Sequence, residues 1–270
     1  MTPRREERYT HGHHSSVLKS HTWRTVANSA TYLEPYLVAG ARLLDVGSGP
    51  GTITVDFARR LALGSVTGLD ASAEVVEQAR ALAQTEGVDN VTFVVGDAYD
   101  TGFEDQSFDV VHTHQTLHHL GDPVAALREF RRVVTADGVV GAREVDYAGT
   151  IIHPLTPGLA AWAALYQRVH RASGGEPDAG RRLKAWAREA GFSEVRSSAS
   201  VWCFSTDDER EWWGSMWQAR VLESAFASEA LAYGFADQAE LQQISDAWRK
   251  WADDPDGWLA MPHGEVLCRR

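Results

Sequence analysis

The stretch LLDVGSGPGTIT, residues 43–54, decides how this chain reads. The aliphatic run at its start has the look of a short strand covered on both faces, and it breaks into Gly47, Gly49 and Gly51 just before the helix-forming segment TITVDFARRLA. Glycines at this spacing permit a tight turn in which backbone approaches a ligand at the start of a helix. Asp70 closes the next strand, SVTGLD, 19 residues after Gly51, where a carboxylate accepts from ribose hydroxyls. Together these residues predict a nucleoside-sized site on an α/β sheet.

Three glycines alone also serve dinucleotides, whose pyrophosphate faces the helix N-terminus. Here Asp45 stands two residues before the first glycine, and its negative charge suits an ammonium- or sulfonium-bearing ligand. Asp97, in VVGDA after the third strand, supplies a second acceptor. A nicotinamide-dependent oxidoreductase remains an alternative on the shared turn, and a non-enzymatic cofactor-binding regulatory protein is another. The histidine-rich segment HTHQTLHHL, residues 112–120, speaks against the latter.

The flanking sequence continues the alternation. NVTFVVGDA and SFDVVHTHQ read as the third and fourth strands, DPVAALREFRRVV as an amphipathic helix capped by Asp122 with Pro123 in its first turn, and ADGVVGAREVD as the fifth strand. This order predicts a doubly wound α/β fold with a mostly parallel sheet and ligands at the carboxyl ends of its strands. Upstream, residues 21–37 read as one helix. Downstream, residues 147–175 predict a loop and an inserted helix, residues 193–206 one or two strands, residues 207–232 and 237–253 helices, and GWLAMPHGEVLCRR a last strand. The expected organisation is a single domain over 1–270, with an N-terminal lid over 1–38 and helical insertions at 147–176 and 207–253 contributing to a substrate pocket.

Composition narrows the partners. The 270 residues hold 26 basic and 37 acidic side chains, a net charge of -11 that repels a phosphate backbone, so nucleic acid is not expected. Cys203 and Cys268 are too few for a disulfide scaffold. Neither a signal peptide nor a membrane-spanning run is evident, which predicts a cytoplasmic chain without integral membrane association. Of 10 Trp, all but Trp23 fall after residue 150.

The pieces LLDVGSGPG, TGLDAS, FVVGDAY and FDVVHTHQTLHHL, in this order, resemble the class I S-adenosylmethionine-dependent methyltransferases over about residues 20–195, most closely the small-molecule ubiquinone and menaquinone type. The resemblance implies seven strands with the last antiparallel, and S-adenosylmethionine as cofactor with S-adenosylhomocysteine as product. It implies that Gly47, Ser48, Gly49 and Gly51 line the methionine and ribose, that Asp45 holds the amino group directly or through water, and that Asp70 binds the ribose. Ala71 and Ser72 then flank the adenosine, Asp97 accepts from the adenine amine with Ala98 beside the ring, and Gln115 contributes its backbone near the methionine.

Methyl transfer needs in-line placement and, for a protonated acceptor, a base. His118 is the first candidate and His119 the second. Glu144, with Asp146, ends the fifth strand and is a candidate to orient an acceptor or take its proton. Tyr9, His14 and Trp23 are lid candidates. No metal is assigned: His11, His13 and His14, with 112, 114, 118 and 119, define no coordination geometry. Segments of the DPPY type and a Pro-Cys pair after the fourth strand are missing, which disfavours nucleic-acid bases as acceptors. A small, partly apolar or aromatic metabolite, methylated at O, N or C, is the expected acceptor. Trp162, Tyr166, Trp202, Trp212, Trp213 and Trp217 are expected to line or brace its pocket, most of them in a structural role. Oligomeric state is left open.

Overall fold

The aliphatic run before the glycine turn forms β1 (Arg42–Val46), which pairs in parallel with β2 (Ser65–Asp70) on one side and β4 (Phe108–His114) on the other. The computed structural model describes residues 23–270. Beyond β2 lies β3 (Val91–Val95), and beyond β4 lies β5 (Val134–Val145), both parallel to their neighbours. The chain thus leaves β1 toward β3 and returns across it to β4, which puts a switch point at the carboxyl ends of β1 and β4. Helices α1 (Val26–Ser29), α2 (Thr52–Arg60), α3 (Ala73–Thr85) and α4 (Pro123–Val133) accompany these strands.

The far side of the sheet is built on the last strand, as expected. β6 (Ile151–His153), β7 (Glu194–Phe204) and β8 (Trp258–Arg269) complete eight strands in the order β3-β2-β1-β4-β5-β8-β6, with β7 paired to β8. β8 runs antiparallel to β5, β6 and β7. β6 is the strand beyond the seven expected; its segment reads as loop in the sequence, yet Ile151–His153 pair with Trp258–Ala260 and prolong the β5 edge along β8.

Two helix readings change. Of the stretch 21–37, the described residues 23–37 form α1, leave helical geometry at Ala30 (φ −143°) and resume as a 3-10 turn over Thr31–Tyr36. Thr25 and Asn28 close a capping box at its start, and the Thr31 hydroxyl donates to the Ala27 carbonyl at 2.6 Å, so local side chains compete with a longer ladder. Leu33 from this turn is fully buried, and a Cβ on Gly141 of β5 would lie 2.8 Å from it, so the glycine lets the turn sit on the sheet. The stretch 207–232 divides into α7 (Asp207–Glu223) and α8 (Ala225–Ala232) at Ser224, whose hydroxyl donates to Arg220 O and accepts from Phe226 N.

α5 (Pro157–Ala172), α7, α8 and α9 (Gln238–Asp253) bury one aromatic core containing Trp162, Trp213, Trp217, Trp248 and Trp251 with Tyr166, Phe204 and Phe226. Gly214 of α7 lets the backbone approach α9, since a Cβ there would meet Ala252 at 2.6 Å. α6 (Ala179–Glu189) covers the opposite face of β5 and β8, with Leu183 and Ala187 in the sheet core beside Leu127, Phe130 and Val140. Among the described residues, no helix is long and apolar enough to cross a membrane.

Candidate active site

The glycine turn is fixed by backbone. Gly47 and Ser48 both donate to Leu69 O, at 2.7 and 3.0 Å, and Gly49 N donates to Asp70 Oδ2 at 2.9 Å. Gly47 has φ +73°, and a Cβ on it would fall 2.1 Å from Thr116 Oγ1, so this position needs glycine for both its dihedral and its space. Asp70 also accepts from Ser72 N at 3.0 Å while remaining half-buried, and Ser72 caps α3. Ser48 Oγ is buried in the turn without a protein partner. Asp97 is exposed at the end of β3, where its Oδ1 accepts from Tyr99 N at 2.8 Å, and Ala98 is half-buried beside it. Ala71 is exposed next to Asp70. These residues line the carboxyl edge of β1, β2 and β3, and an orphaned hydroxyl beside half-buried acceptors fits a nucleoside carrying a diol.

Asp45 is placed differently from its expectation. Its side chain is 2% exposed and turns inward, with Oδ2 accepting from Thr54 Oγ1 at 2.5 Å and Oδ1 from His112 Nδ1 at 2.7 Å. Both oxygens are spent on the strand–helix junction, so this carboxylate braces the turn from behind.

At the end of β4 the chain turns sharply at Gln115, whose φ is +51°. Its N–H donates to Arg143 O, and its side-chain amide links Arg24 and His263 at 2.8 Å each. The following turn, Leu117–His119, is organised by Glu144. This carboxylate, fully buried, accepts from Thr116 N at 2.9 Å, Leu117 N at 2.7 Å and His118 Nδ1 at 2.6 Å. Glu144 is therefore a positioning group. The expectation that it meets the acceptor directly gives way to the backbone amides and imidazole that already occupy it. Asp146, its neighbour, accepts from Gly149 N at 3.1 Å and pairs with Arg181 at 2.6 Å.

His118 is 2% exposed, and its Nδ1–H donation to Glu144 leaves Nε2 as the atom able to take a proton. His119 lies against it with ring centroids 3.8 Å apart, and His170 of α5 stacks at 5.3 Å while its Nε2 donates to His118 O at 2.8 Å. Burial lowers His170 to about 3. Nitrogens of these three rings lie within 4.8 Å of one another. The sequence gives no hint of His170, which joins from 52 residues away. Nor does it single out Arg143 and His263, buried on β5 and β8, which meet Gln115 through the Arg143 carbonyl and the His263 ring.

The tryptophans divide by position. Trp162, Trp213 and Trp217 belong to the helical core, and Trp212 packs partly buried on its edge with Trp23 at 5.6 Å. Tyr166 packs at a tilt against Tyr147, ring centroids 4.0 Å apart. Trp202 instead lies on the sheet face, 4.3 Å from His263 and 5.6 Å from His114, donating its Nε1–H to Asn28 O. Of the lid candidates, Trp23 packs against Trp202, whereas Tyr9 and His14 lie outside the described residues, as do His11 and His13.

Comparison with known proteins identifies the family. The family described as "Methyltransferase domain" matches residues 37–191. An uncharacterized methyltransferase of Schizosaccharomyces pombe is 35% identical over 271 residues, covering 97% of this chain and 96% of that one. A ubiquinone/menaquinone biosynthesis C-methyltransferase of Bdellovibrio bacteriovorus is 36% identical over 102 residues, 38% of this chain and 43% of its own. Among solved structures, the YcgJ protein of Bacillus subtilis shares the fold with a TM-score of 0.54 at 20% identity, over 86% of this chain and 93% of that one. The chain belongs to the methyltransferase-domain family and is a class I S-adenosylmethionine-dependent methyltransferase resembling the ubiquinone/menaquinone type.

Proposed function

We propose that the chain methylates a small, partly apolar or aromatic acceptor at oxygen, nitrogen or carbon, with His118 as the base. The observation that carries this reading is the 2.6 Å contact between His118 Nδ1 and Glu144 at the end of β4, beside the glycine turn. A carboxylate behind one ring nitrogen fixes which nitrogen can accept a proton, and a base held in place costs little reorganisation when the acceptor is activated. Bound S-adenosylmethionine supplies an electrophilic methyl on a sulfonium. Asp70 would hold the ribose, Gly47, Ser48, Gly49 and Gly51 the ribose and methionine, Ala71 and Ser72 the adenosine, Asp97 and Ala98 the adenine, and Gln115 the methionine end. His119 has the supporting place beside His118.

The test is formation of S-adenosylhomocysteine with a panel of small acceptors, alongside calorimetric binding of that product. Asp70→Ala should weaken product binding about 10- to 100-fold, the range for hydrogen bonds to a charged group. His118→Ala should reduce the transfer rate about 100-fold or more with product affinity unchanged. Equal losses in rate and affinity would remove His118 from the role of base.

A further inference from the structure

The turn after β4 gathers three imidazoles. One nitrogen from each of His118, His119 and His170 lies within 4.8 Å of the other two. Two of the rings are pinned from behind. His118 gives its Nδ1–H to the Glu144 carboxylate at 2.6 Å, and His170 gives its Nε2–H to the His118 carbonyl at 2.8 Å. That carbonyl also accepts from Glu176 N at 2.8 Å, and a Cβ on Gly175 would fall 2.5 Å from both the carbonyl oxygen and His170 Nε2, so this contact is closely built. The two donations put the ring lone pairs on Nε2 of His118 and Nδ1 of His170. His119 is half-buried and inclined at 41° and 48° to the other two rings, so it closes the group from the solvent side.

A carboxylate or a main-chain carbonyl behind the remote nitrogen is the arrangement that orients imidazole ligands and raises their basicity toward a metal ion. One such bond would satisfy an isolated buried histidine, but it does not explain why three rings bring nitrogens together at one place. The donors are neutral nitrogens with no carboxylate among them, which selects a borderline cation of the zinc class over magnesium or calcium. The buried Glu144 charge offsets part of that of the ion through the His118 ring. A tetrahedral ion about 2.1 Å from each nitrogen holds them about 3.4 Å apart, so the rings draw in on binding, and the half-buried His119 has the room to do so. Three protein ligands leave a fourth position open to water.

We infer that His118, His119 and His170 form a binding site for a zinc-class divalent cation. The ion takes Nε2 of His118, the atom that the methyl-transfer reading needs as base, so ion and proton compete there and the bound ion stops transfer. This effect on turnover rests on the methyl-transfer reading; the site itself does not.

Zinc chloride is titrated calorimetrically into the full chain carrying His11→Ala, His13→Ala and His14→Ala, which removes the other histidine-rich stretch of the sequence as a source of heat. A single ion should bind. His170→Gln, which keeps an N–H for the His118 carbonyl, should weaken it about 100-fold, the upper end of what losing a supporting group costs a metal site. Cobalt(II) should give the intense visible bands of a tetrahedral ion in the parent and lose them in the variant, whereas magnesium should give no heat. His119→Gln repeats the loss and carries the test should His170→Gln fail to unfold cooperatively in urea. No saturable zinc binding, or equal affinity in the parent and both variants, overturns the site whatever turnover does. With an acceptor from the panel, zinc should also lower S-adenosylhomocysteine formation with a midpoint at its binding constant, and a chelator should restore it. Zinc that binds at the three histidines while turnover is unchanged upholds the site and removes His118 from the role of base.

Discussion

The two halves of the mouth hold their functional groups with different materials. Between Asp45 and Ser72, position is set by main chain: amides of Gly47 and Ser48 on Leu69 O, and of Gly49 and Ser72 on the Asp70 carboxylate. Between Gln115 and His263, position is set by side chains from separate elements: Glu144 of β5 under His118, His170 of α5 on its carbonyl, and Gln115 against Arg24 and His263. A turn made by backbone tolerates neighbours but not a Cβ. A mouth made by side chains is re-shaped by any one of them, which suits the half that must recognise the acceptor.

The largest effect should come from Glu144, because one carboxylate serves three amides and an imidazole in a fully buried position. Glu144→Ala is expected to lower stability by about 3 to 5 kcal/mol, since a buried charged acceptor is removed from donors that keep their desolvation cost. Glu144→Gln retains one carbonyl acceptor for the amides while presenting an N–H toward His118. Denaturant unfolding should show most of the stability restored, and turnover should stay low. Full activity in Glu144→Gln would erase the positioning role and, with it, the contrast between the halves.

Next in size is the aromatic core. Trp217 is fully buried, with Trp162 at 4.7 Å and Trp248 at 6.0 Å. Trp217→Ala should cost about 3 to 4 kcal/mol, the range for emptying a large aromatic site. If the donor half is independent, the variant that remains folded binds S-adenosylhomocysteine as the wild type does. A parallel loss of affinity would mean that the helical half supports the glycine turn.

What the sequence disclosed follows the same division. Gly47, Asp70, Ser72 and Asp122 are legible because a turn, a strand end or a cap makes demands within a few residues, and the structure meets them locally. His118 is legible as part of the segment after β4, but its partner is not. Glu144 reads as a free acid until the β4–β5 register sets Arg143 opposite His114 and sends residue 144 to the other face. His170 carries no local signature at all, because its role arises from packing of α5 onto the turn after β4. The split of 21–37, the break at Ser224 and the extra strand β6 share this cause: close approach and side-chain bonds outweigh a weak local preference.

The smallest expected effect concerns His170, and pH exposes it. The ring faces His118 and His119, the side chains of Arg171 and Asp178, and Tyr166 at 5.5 Å, and burial is the main cause holding it near 3. In the unfolded chain the same imidazole takes up its proton near 6.5, so between these values the unfolded state binds more protons. Stability from this residue is therefore complete above about pH 6.5 and is lost as pH falls, at up to about 1.4 kcal/mol per unit for one proton. His114 and His263, also lowered by burial, act in the same direction. His170→Gln keeps an N–H for the His118 carbonyl and cannot titrate. Urea unfolding at pH 7, 6 and 5 should show a shallower decline in the variant, by about 1 kcal/mol per unit below pH 6, with His114 and His263 accounting for part of the remainder. Equal slopes would mean that the folded protein already protonates His170 near neutrality, and that the imidazole stack on the acceptor side is charged rather than held neutral by its packing.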